Sequence, residues 1–387
     1  MVKNIAILGS TGSIGKSTLE VIALNENILK VFCISANKNF TLLANQINIF
    51  KPKYAYIEHK IHTESLKKLI EHDKTIILDS EDNLLEILSS DELNIVVSSM
   101  SGSSGLKSTY HALASKKIVL LANKESMVMA GKLMSKFINN IIPIDSEHNS
   151  IFQVIQGSTH HIEKISLTAS GGPFRNYPYN EFSKITKEMA LKHPNWVMGE
   201  KITIDSATMM NKCLEIIEAH YLFELPKEKI DVIIHPESII HSLVEYSDGS
   251  TLCQLSEPDM KIPISYALGY PERLTSGRAP INLTSIGKLT FQKPDYKKFP
   301  SLRYAYQTLE YLENQETLAI MLNAANEIAV DLFLQNRINF LDIYKIIESS
   351  FEKTENLPMD NINDIFNVDF LYRKKLNEYI KKSVLKD

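Results

Sequence analysis

At 387 residues, with 44% hydrophobic and 23% charged residues and a formal charge of −4, the chain is too long for one ordinary core and reads as a globular protein of roughly two or three domains. That charge balance gives no broad basic surface for nucleic acid or an acidic membrane, so any anionic ligand must be small and locally held. Three widely spaced cysteines, Cys33, Cys213 and Cys253, contain no C-x-x-C pair; they exclude a disulfide framework or thiolate zinc site and suit a reducing compartment.

No stretch approaches the roughly eighteen consecutive apolar residues of a spanning helix. A strand-like run begins at Val2, leaving no room for a signal or transit peptide, so a cytoplasmic protein is expected. That run, Val2 to Leu8, meets Gly9-Ser10-Thr11-Gly12-Ser13-Ile14-Gly15 and then a helix-like segment, Lys16 to Leu24. Strand, glycine turn and helix in this order are the context of a dinucleotide site. Gly12 would let the backbone approach a pyrophosphate, and Gly15 would let the helix pack on the strand. The spacing is G-x-x-G-x-x-G rather than G-x-G-x-x-G, so a merely structural turn competes with this reading.

The second strand, Val31 to Ser35, leads into Ala36-Asn37-Lys38-Asn39, with no acidic residue to hold an adenine ribose. A lysine and two amides suit a 2′-phosphate through charge-assisted hydrogen bonds, favouring NADPH over NADH; a solvated turn lysine is the alternative. Further strands are expected at Tyr54 to Ile57, Thr75 to Leu78, Asn94 to Ser98, Ile118 to Leu121 and Ile141 to Ile144. Their alternation with helix-like stretches predicts a doubly wound, mostly parallel sheet whose ligands gather at the strands' carboxyl ends. Lys124, in Ala122-Asn123-Lys124-Glu125, stands at one such end, either beside a bound carbonyl or phosphate or as a surface helix cap.

The last of these strands stops at Asp145-Ser146-Glu147. In an extended segment Asp145 and Glu147 project from one face, and two adjacent carboxylates call for a cation between them. Mg²⁺ or Mn²⁺ would take such oxygens and keep positions open for a substrate. An exposed strand end is the competing explanation.

A strand from Ile162 to Leu167 delivers Ser170-Gly171-Gly172, whose backbone N–H groups can cradle a phosphate, although a plain turn explains the glycines equally well. His193-Pro194-Asn195-Trp196-Val197-Met198-Gly199 reads as a flap that would exclude water from a bound ligand, or as ordinary packing of Trp196. Lys201 to Ile204 is expected as a short strand, followed by a helix capped by Asp205 or Ser206. On it Asn211 and Glu215 share a face and Lys212 adjoins Glu215. Glu215 is the candidate third metal carboxylate, with Ser206, Asn211 and Lys212 facing the same ligand. A solvated Lys212–Glu215 pair is the alternative. Asp231 to Ile234, Ile239 to Tyr246 and Thr251 to Leu255 predict a second sheet, one face of which would pair two subunits in a homodimer. His235 and His241 read as hydrogen-bonded structural histidines.

G-S-T-G-S-I-G, L-L-A-N-K-E, I-D-S-E-H, S-G-G-P-F, H-P-N-W-x-M-G, D-S-A-T-M-M-N-K and H-P-E-S stand in this order in one chain. As a set they resemble the 1-deoxy-D-xylulose 5-phosphate reductoisomerases, closely from Val2 to about Ala279 and more loosely beyond, where Asn323-Ala324-Ala325-Asn326-Glu327 fits as well. The resemblance implies Mg²⁺ or Mn²⁺ on Asp145, Glu147 and Glu215. It implies the phosphate of a small phosphorylated sugar among Ser170, Ser206, Asn211 and Lys212, with His193 on the closing flap. It places Lys124, Ser146 and Glu147 on the reacting carbon skeleton, Lys124 and Glu147 being catalytic. It assigns NADPH to Thr11, Gly12, Ser13, Ile14, Asn37, Lys38, Asn39, Asn123, Glu125 and Gly199. The implied reaction is metal-assisted rearrangement, by retro-aldol cleavage and re-aldol joining, then reduction by NADPH to 2-C-methyl-D-erythritol 4-phosphate. Asn37 and Cys213 depart from the glycines usual in the family.

The expected organisation is an N-terminal Rossmann-like doubly wound domain (1–145), then an α/β catalytic and dimerisation domain with a second sheet (146–270, flap 171–200). A linker (271–300) and a C-terminal helical bundle with a mainly structural role (301–387) follow. A semialdehyde dehydrogenase would instead need a nucleophilic cysteine, and an NADP-sensing regulatory protein would not need three acidic residues and a phosphate cradle.

Overall fold

Apolar runs that are buried along most of their length build the first sheet of this computed structural model, which describes residues 2–156, 161–196, 198–312, 317–352, 356–357 and 359–383. Its strands are β1 (Lys3–Leu8), β2 (Leu29–Ala36), β3 (Tyr54–Ile57), β4 (Ile76–Leu78), β5 (Ile95–Ser98), β6 (Ile118–Leu121) and β7 (Ile141–Pro143). They pair in parallel in the order β4-β3-β2-β1-β5-β6-β7. Parallel strands need crossover connections, and the burial of β5 and β6 reflects cover on both faces. The order reverses between β1 and β5, and such a reversal opens a crevice at the strands' carboxyl ends.

Contacts divide the chain into two units, the first made of Met1–Ser126, Lys136–Phe152 and Asp259–Pro280. The returning segment brings the helix Lys261–Gly269 to the sheet, where Ile264, Ala267 and Leu268 join Ile5, Ile34, Val97 and Leu120 in one core. Lys3 Nζ donates to the Leu268 carbonyl at 3.1 Å, and Asn25 Nδ2 to the Thr275 carbonyl at 3.0 Å.

The second unit contains Met127–Ser135, Gln153–Pro258 and Ile281–Asp387. Its mixed sheet consists of β8 (Ile162–Ala169), β9 (Ile230–Ile234), β10 (Ile240–Tyr246) and β11 (Thr251–Leu255), in the order β11-β10-β8-β9. β10 is antiparallel to β8 and β11, whereas β8 and β9 are parallel. Beyond Pro300 the regular elements among the described residues are helices: Ser301–Tyr311, Thr317–Leu334, Phe340–Glu352 and Ile362–Ser383. Thr317–Leu334 is apolar enough to cross a membrane by composition, yet 78% of it is buried inside the protein, as the core helix of a bundle is. Arg373 ties the last helix to it, pairing with Glu327 at 2.6 Å and with Asp369 at 2.7 Å.

One expected element is replaced. Ile202-Thr203-Ile204 has β-branched character, but the segment is the helix Glu200–Ala207. Propensity yields here to packing: Ile204 is fully buried, Gly199 is the N-cap and Thr203 Oγ1 bonds back to the Gly199 carbonyl at 2.8 Å. Asp205 and Ser206 therefore lie within that helix rather than capping one. A second helix, Met210–Phe223, starts only after Met209 has turned to φ +60°.

Part of the predicted flap region is firmly packed. Phe174 and Phe182 are buried among Phe299 and Phe340, with Phe174 edge-on to Phe340 at 5.3 Å. Val197 of the predicted flap lies outside the described residues. Truncating Phe182 to Ala should cost about 3–5 kcal/mol and bring urea unfolding to lower concentration. An unshifted transition would show that this cluster does not hold the segment.

Candidate active site

The glycine turn at the end of β1 is fixed by close approach. Gly9 sits at φ +88°, and a Cβ there would lie 2.9 Å from the Ser99 carbonyl oxygen, on the β5 side of the crevice. At Gly15 a Cβ would come within 2.4 Å of the Ser10 backbone, so any side chain would force helix and strand apart. Gln46 braces the turn, its Nε2 donating to the Ser10 carbonyl at 2.9 Å and its Oε1 accepting the Ser10 hydroxyl at 2.7 Å. The helix Ser13–Leu24 begins at Gly12 with no side-chain cap. Its first N–H groups and helix dipole suit a phosphate. Thr11, Gly12, Ser13 and Ile14 thus stand together at the crevice.

Asn37, Lys38 and Asn39 are exposed at the end of β2. Asn39 Oδ1 caps the helix Phe40–Phe50 by accepting from Leu42 N at 3.1 Å, so a ligand would meet its amide nitrogen. The His59 N–H donates to the Asn37 carbonyl at 3.1 Å, holding this turn beside the loop after β3. Asn123 works differently: its Nδ2 donates to the carbonyls of Met100, at 2.5 Å, and Gly102, at 2.9 Å, while its Oδ1 accepts from Ser126 N. The buried amide therefore shapes the loop after β5, and it also reaches Glu125 at 3.3 Å.

Asp145 and Glu147 are not in an extended segment. β7 stops at Pro143, and the helix Ser146–Ile155 begins immediately after Asp145. The short polar side chain competes for backbone donors and stops the strand: Asp145 Oδ1 accepts from Glu147 N at 3.3 Å, and its carbonyl accepts from Asn149 N at 2.8 Å. Both carboxylates consequently sit at a helix N-terminus, where negative charge is favoured. Lys124 Nζ lies 2.6 Å from Asp145 Oδ2, its side chain only 5% exposed. The surface-cap alternative for Lys124 is thereby excluded. Ser146 Oγ donates to Glu147 Oε2 at 2.5 Å, and the buried His148 Nδ1 is 3.7 Å from Asp145 Oδ1.

In the second unit β8 ends at Ser170-Gly171-Gly172, with φ of +82° and +67° at the two glycines. A Cβ on Gly172 would sit 2.6 Å from the Ser206 carbonyl oxygen, so this turn rests directly on the helix Glu200–Ala207. His193 Nδ1 accepts from the N–H groups of Asn195, at 3.2 Å, and Trp196, at 2.9 Å. That leaves the proton on Nε2, which faces Ser170 Oγ at 3.3 Å. Burial pushes the His193 pKa down to about 4, so the ring is a neutral donor near pH 7. Asn195 Nδ2 anchors the segment to the Pro236 carbonyl and to Ser238 Oγ, and the Trp196 ring lies 6.2 Å from that of His241. Gly199 is exposed at the N-cap of the helix Glu200–Ala207.

Asn211, Lys212 and Glu215 meet as expected, with Asn211 Nδ2 and Lys212 Nζ both donating to the Glu215 carboxylate. The Lys212–Glu215 pair is real, but its side chains are 4% and 0% exposed, so it is no solvated surface pair. His235 Nε2 accepts from Ile239 N at 3.1 Å, and His241 Nε2 bonds Ser256 Oγ at 2.9 Å; both are structural. Cys213 is buried, and burial together with Asp205 raises its thiol pKa. Burial pushes Cys33 up to about 12 and raises Cys253. None of the three supplies the thiolate that a semialdehyde dehydrogenase requires.

A glycine turn at the sheet's order reversal, a lysine-paired acidic helix end and a separate glycine turn beside a neutral histidine define a dinucleotide-binding α/β enzyme acting on a small anionic substrate. Three family models match: "1-deoxy-D-xylulose 5-phosphate reductoisomerase" over residues 5–131, its "C-terminal domain" over 141–223, and "DXP reductoisomerase C-terminal domain" over 255–375. The protein of that name from Ruthia magnifica subsp. Calyptogena magnifica is 44% identical over 384 residues, covering 98% of this chain and 99% of the relative. That of Prosthecochloris aestuarii is 45% identical over 372 residues, covering 95% and 97%. A crystal structure of DOX-P reductoisomerase with NADPH, fosmidomycin and magnesium superposes with a TM-score of 0.91 at 40% identity, covering 98% of both chains. The Zymomonas mobilis enzyme with NADPH gives 0.89 at 38% identity, covering 98% and 99%. The chain belongs to the 1-deoxy-D-xylulose 5-phosphate reductoisomerase family.

Because its folded pKa is lowered, His193 stabilises the fold fully above the unfolded value of about 6.5 and loses that contribution as pH falls toward about 4. NMR of the His193 ring should show the neutral form from pH 8 to pH ~5. A midpoint near 6.5 would contradict the burial seen here.

Proposed function

We propose that this protein converts 1-deoxy-D-xylulose 5-phosphate to 2-C-methyl-D-erythritol 4-phosphate with NADPH and Mg²⁺ or Mn²⁺. What carries the reading is the Lys124–Asp145 pair, its side chains only 5% and 12% exposed, at a helix N-terminus, in a chain that matches this family over almost its whole length.

Asp145, Glu147 and Glu215 are the proposed metal ligands. Their chemistry fits a hard divalent ion: three carboxylates, each already partnered by ammonium, hydroxyl or amide donors, offer the oxygen ligands such an ion selects. When bound, the cation would polarise the substrate's carbonyl and hydroxyl oxygens, and NADPH would supply hydride to the rearranged aldehyde. Lys124 would donate to the reacting oxygen and Glu147 would take up and return the hydroxyl proton, while Ser146 orients the Glu147 carboxylate.

Ser170, Ser206, Asn211 and Lys212 would hold the substrate phosphate. The Ser170-Gly-Gly turn offers N–H groups, Lys212 a buried positive charge, and neutral His193 a single Nε2 proton. Phosphate binding at this remote handle would orient the reacting end and settle Trp196 over it, excluding water. Because Phe182 and Ala190 are fully buried, we place the moving part of the flap after Ala190. The dinucleotide would lie along Thr11, Gly12, Ser13 and Ile14, with its 2′-phosphate at Asn37, Lys38 and Asn39 and its nicotinamide end toward Asn123, Glu125 and Gly199. A homodimer in the cytoplasm completes the proposal; the edge strand β11 carries an exposed Leu252 that pairing would cover.

Purified protein given substrate, NADPH and Mg²⁺ should lose absorbance at the NADPH band, and a chelator should abolish the loss. The Cys213→Ala variant should keep most of that activity. Metal-independent turnover, or dependence on Cys213, would point to a different enzyme.

A further inference from the structure

The two helices that present Ser206 on one side and Asn211, Lys212 and Glu215 on the other meet at a sharp corner, with Met209 at φ +60°. A methionine in that region is unfavourable by itself, so its surroundings must impose it. Those surroundings come from three helices of the C-terminal bundle. Ser301 Oγ donates to the Thr208 carbonyl at 2.8 Å, and the Tyr344 hydroxyl donates to the same oxygen at 3.3 Å. From the helix Thr317–Leu334, Asn326 Nδ2 donates to Asp205 Oδ1 at 2.8 Å. Asp205 is 1% exposed and Asn326 fully buried, and Lys201 Nζ lies 2.9 Å from the other Asp205 oxygen. A buried amide and carboxylate facing each other across two helices are costly to separate, because each would lose its partner out of reach of water.

We infer that Asp205 and Asn326 are positioning residues, through which the C-terminal bundle sets the α-helical corner that aims the substrate-phosphate ligands. Ser206 adjoins Asp205 in sequence. Its carbonyl lies where a Gly172 Cβ would come within 2.6 Å, so a shift of the helix Glu200–Ala207 also shifts the Ser170-Gly-Gly turn. Lys212 and Asn211 follow within one turn of the corner. The Asp205–Asn326 bond therefore coordinates both halves of the phosphate cradle without touching substrate. This inference rests on the assignment of the phosphate to Ser206, Asn211 and Lys212.

The test is steady-state kinetics of full-length variants with 1-deoxy-D-xylulose 5-phosphate, beside thermal unfolding and competition by inorganic phosphate. Asn326→Ala should raise the KM for substrate and the inhibition constant of phosphate by about tenfold, the weight of one charge-assisted bond, while the KM for NADPH stays within twofold. The exchanged pair Asp205→Asn with Asn326→Asp should recover most of that loss. Should Asn326→Ala fail to fold, Tyr344→Phe, which removes only one hydroxyl from the corner, should show the same selective rise on a smaller scale. A lowered unfolding temperature with an unchanged substrate KM, or equal rises for substrate and NADPH, would overturn the inference. Ser206→Ala separates the two levels: if it leaves phosphate inhibition unchanged, the phosphate assignment itself is wrong; if it weakens inhibition and Asn326→Ala does not, only the positioning role fails.

Discussion

Holding carboxylates largely out of solvent without leaving them unpartnered is the constraint on which the rest of this molecule depends. Removing such a group from water costs several kcal/mol, and the cost is offset only by well-placed positive charge and hydrogen bonds. Each unit solves the problem with a lysine. Lys124 meets Asp145 in the first unit, and Lys212 meets Glu215 in the second. A surface built for stability alone would leave such pairs in solvent, where they are worth little. Their burial makes sense where the charges have work to do on a ligand that brings its own.

Anion handling follows the same logic on the other side of the reaction. Two glycine turns, Gly9 to Gly15 and Ser170 to Gly172, are forced by close backbone approach rather than by loose loop composition. One opens the uncapped helix of the dinucleotide crevice. The other lies under His193, whose burial keeps it neutral and leaves it one proton to give. The protein's charge of −4 would thus be no obstacle to the proposed phosphate binding, because the donors are local and oriented.

Much of this was legible in the chain itself. Apolar runs punctuated by glycine and polar clusters marked all seven strands of the parallel sheet, since buried parallel strands have little choice of composition. Spacing brought Asn211, Lys212 and Glu215 together, because helical periodicity is local. The errors arose where tertiary context decides. Ile202-Thr203-Ile204 reads as a strand by propensity, and only its packing makes it a helix. Asp145 and Glu147 were expected in extended chain, but an aspartate after a strand can begin a helix just as well. Whether Lys212–Glu215 was buried could not be read from an i, i+3 spacing. Nor could a local reading connect Asn326 with Asp205, 121 residues apart; the one signal was a pair of amides in the apolar run Asn323 to Asn326.

The central claim is that Glu215 serves the same ion as Asp145 and Glu147. Mn²⁺ binding to the wild-type protein and to Asp145→Asn and Glu215→Gln, followed by electron paramagnetic resonance, tests it most directly. The account predicts that both substitutions weaken Mn²⁺ binding by at least about tenfold, with the fold intact by circular dichroism. Wild-type affinity in Glu215→Gln beside a loss in Asp145→Asn would contradict it.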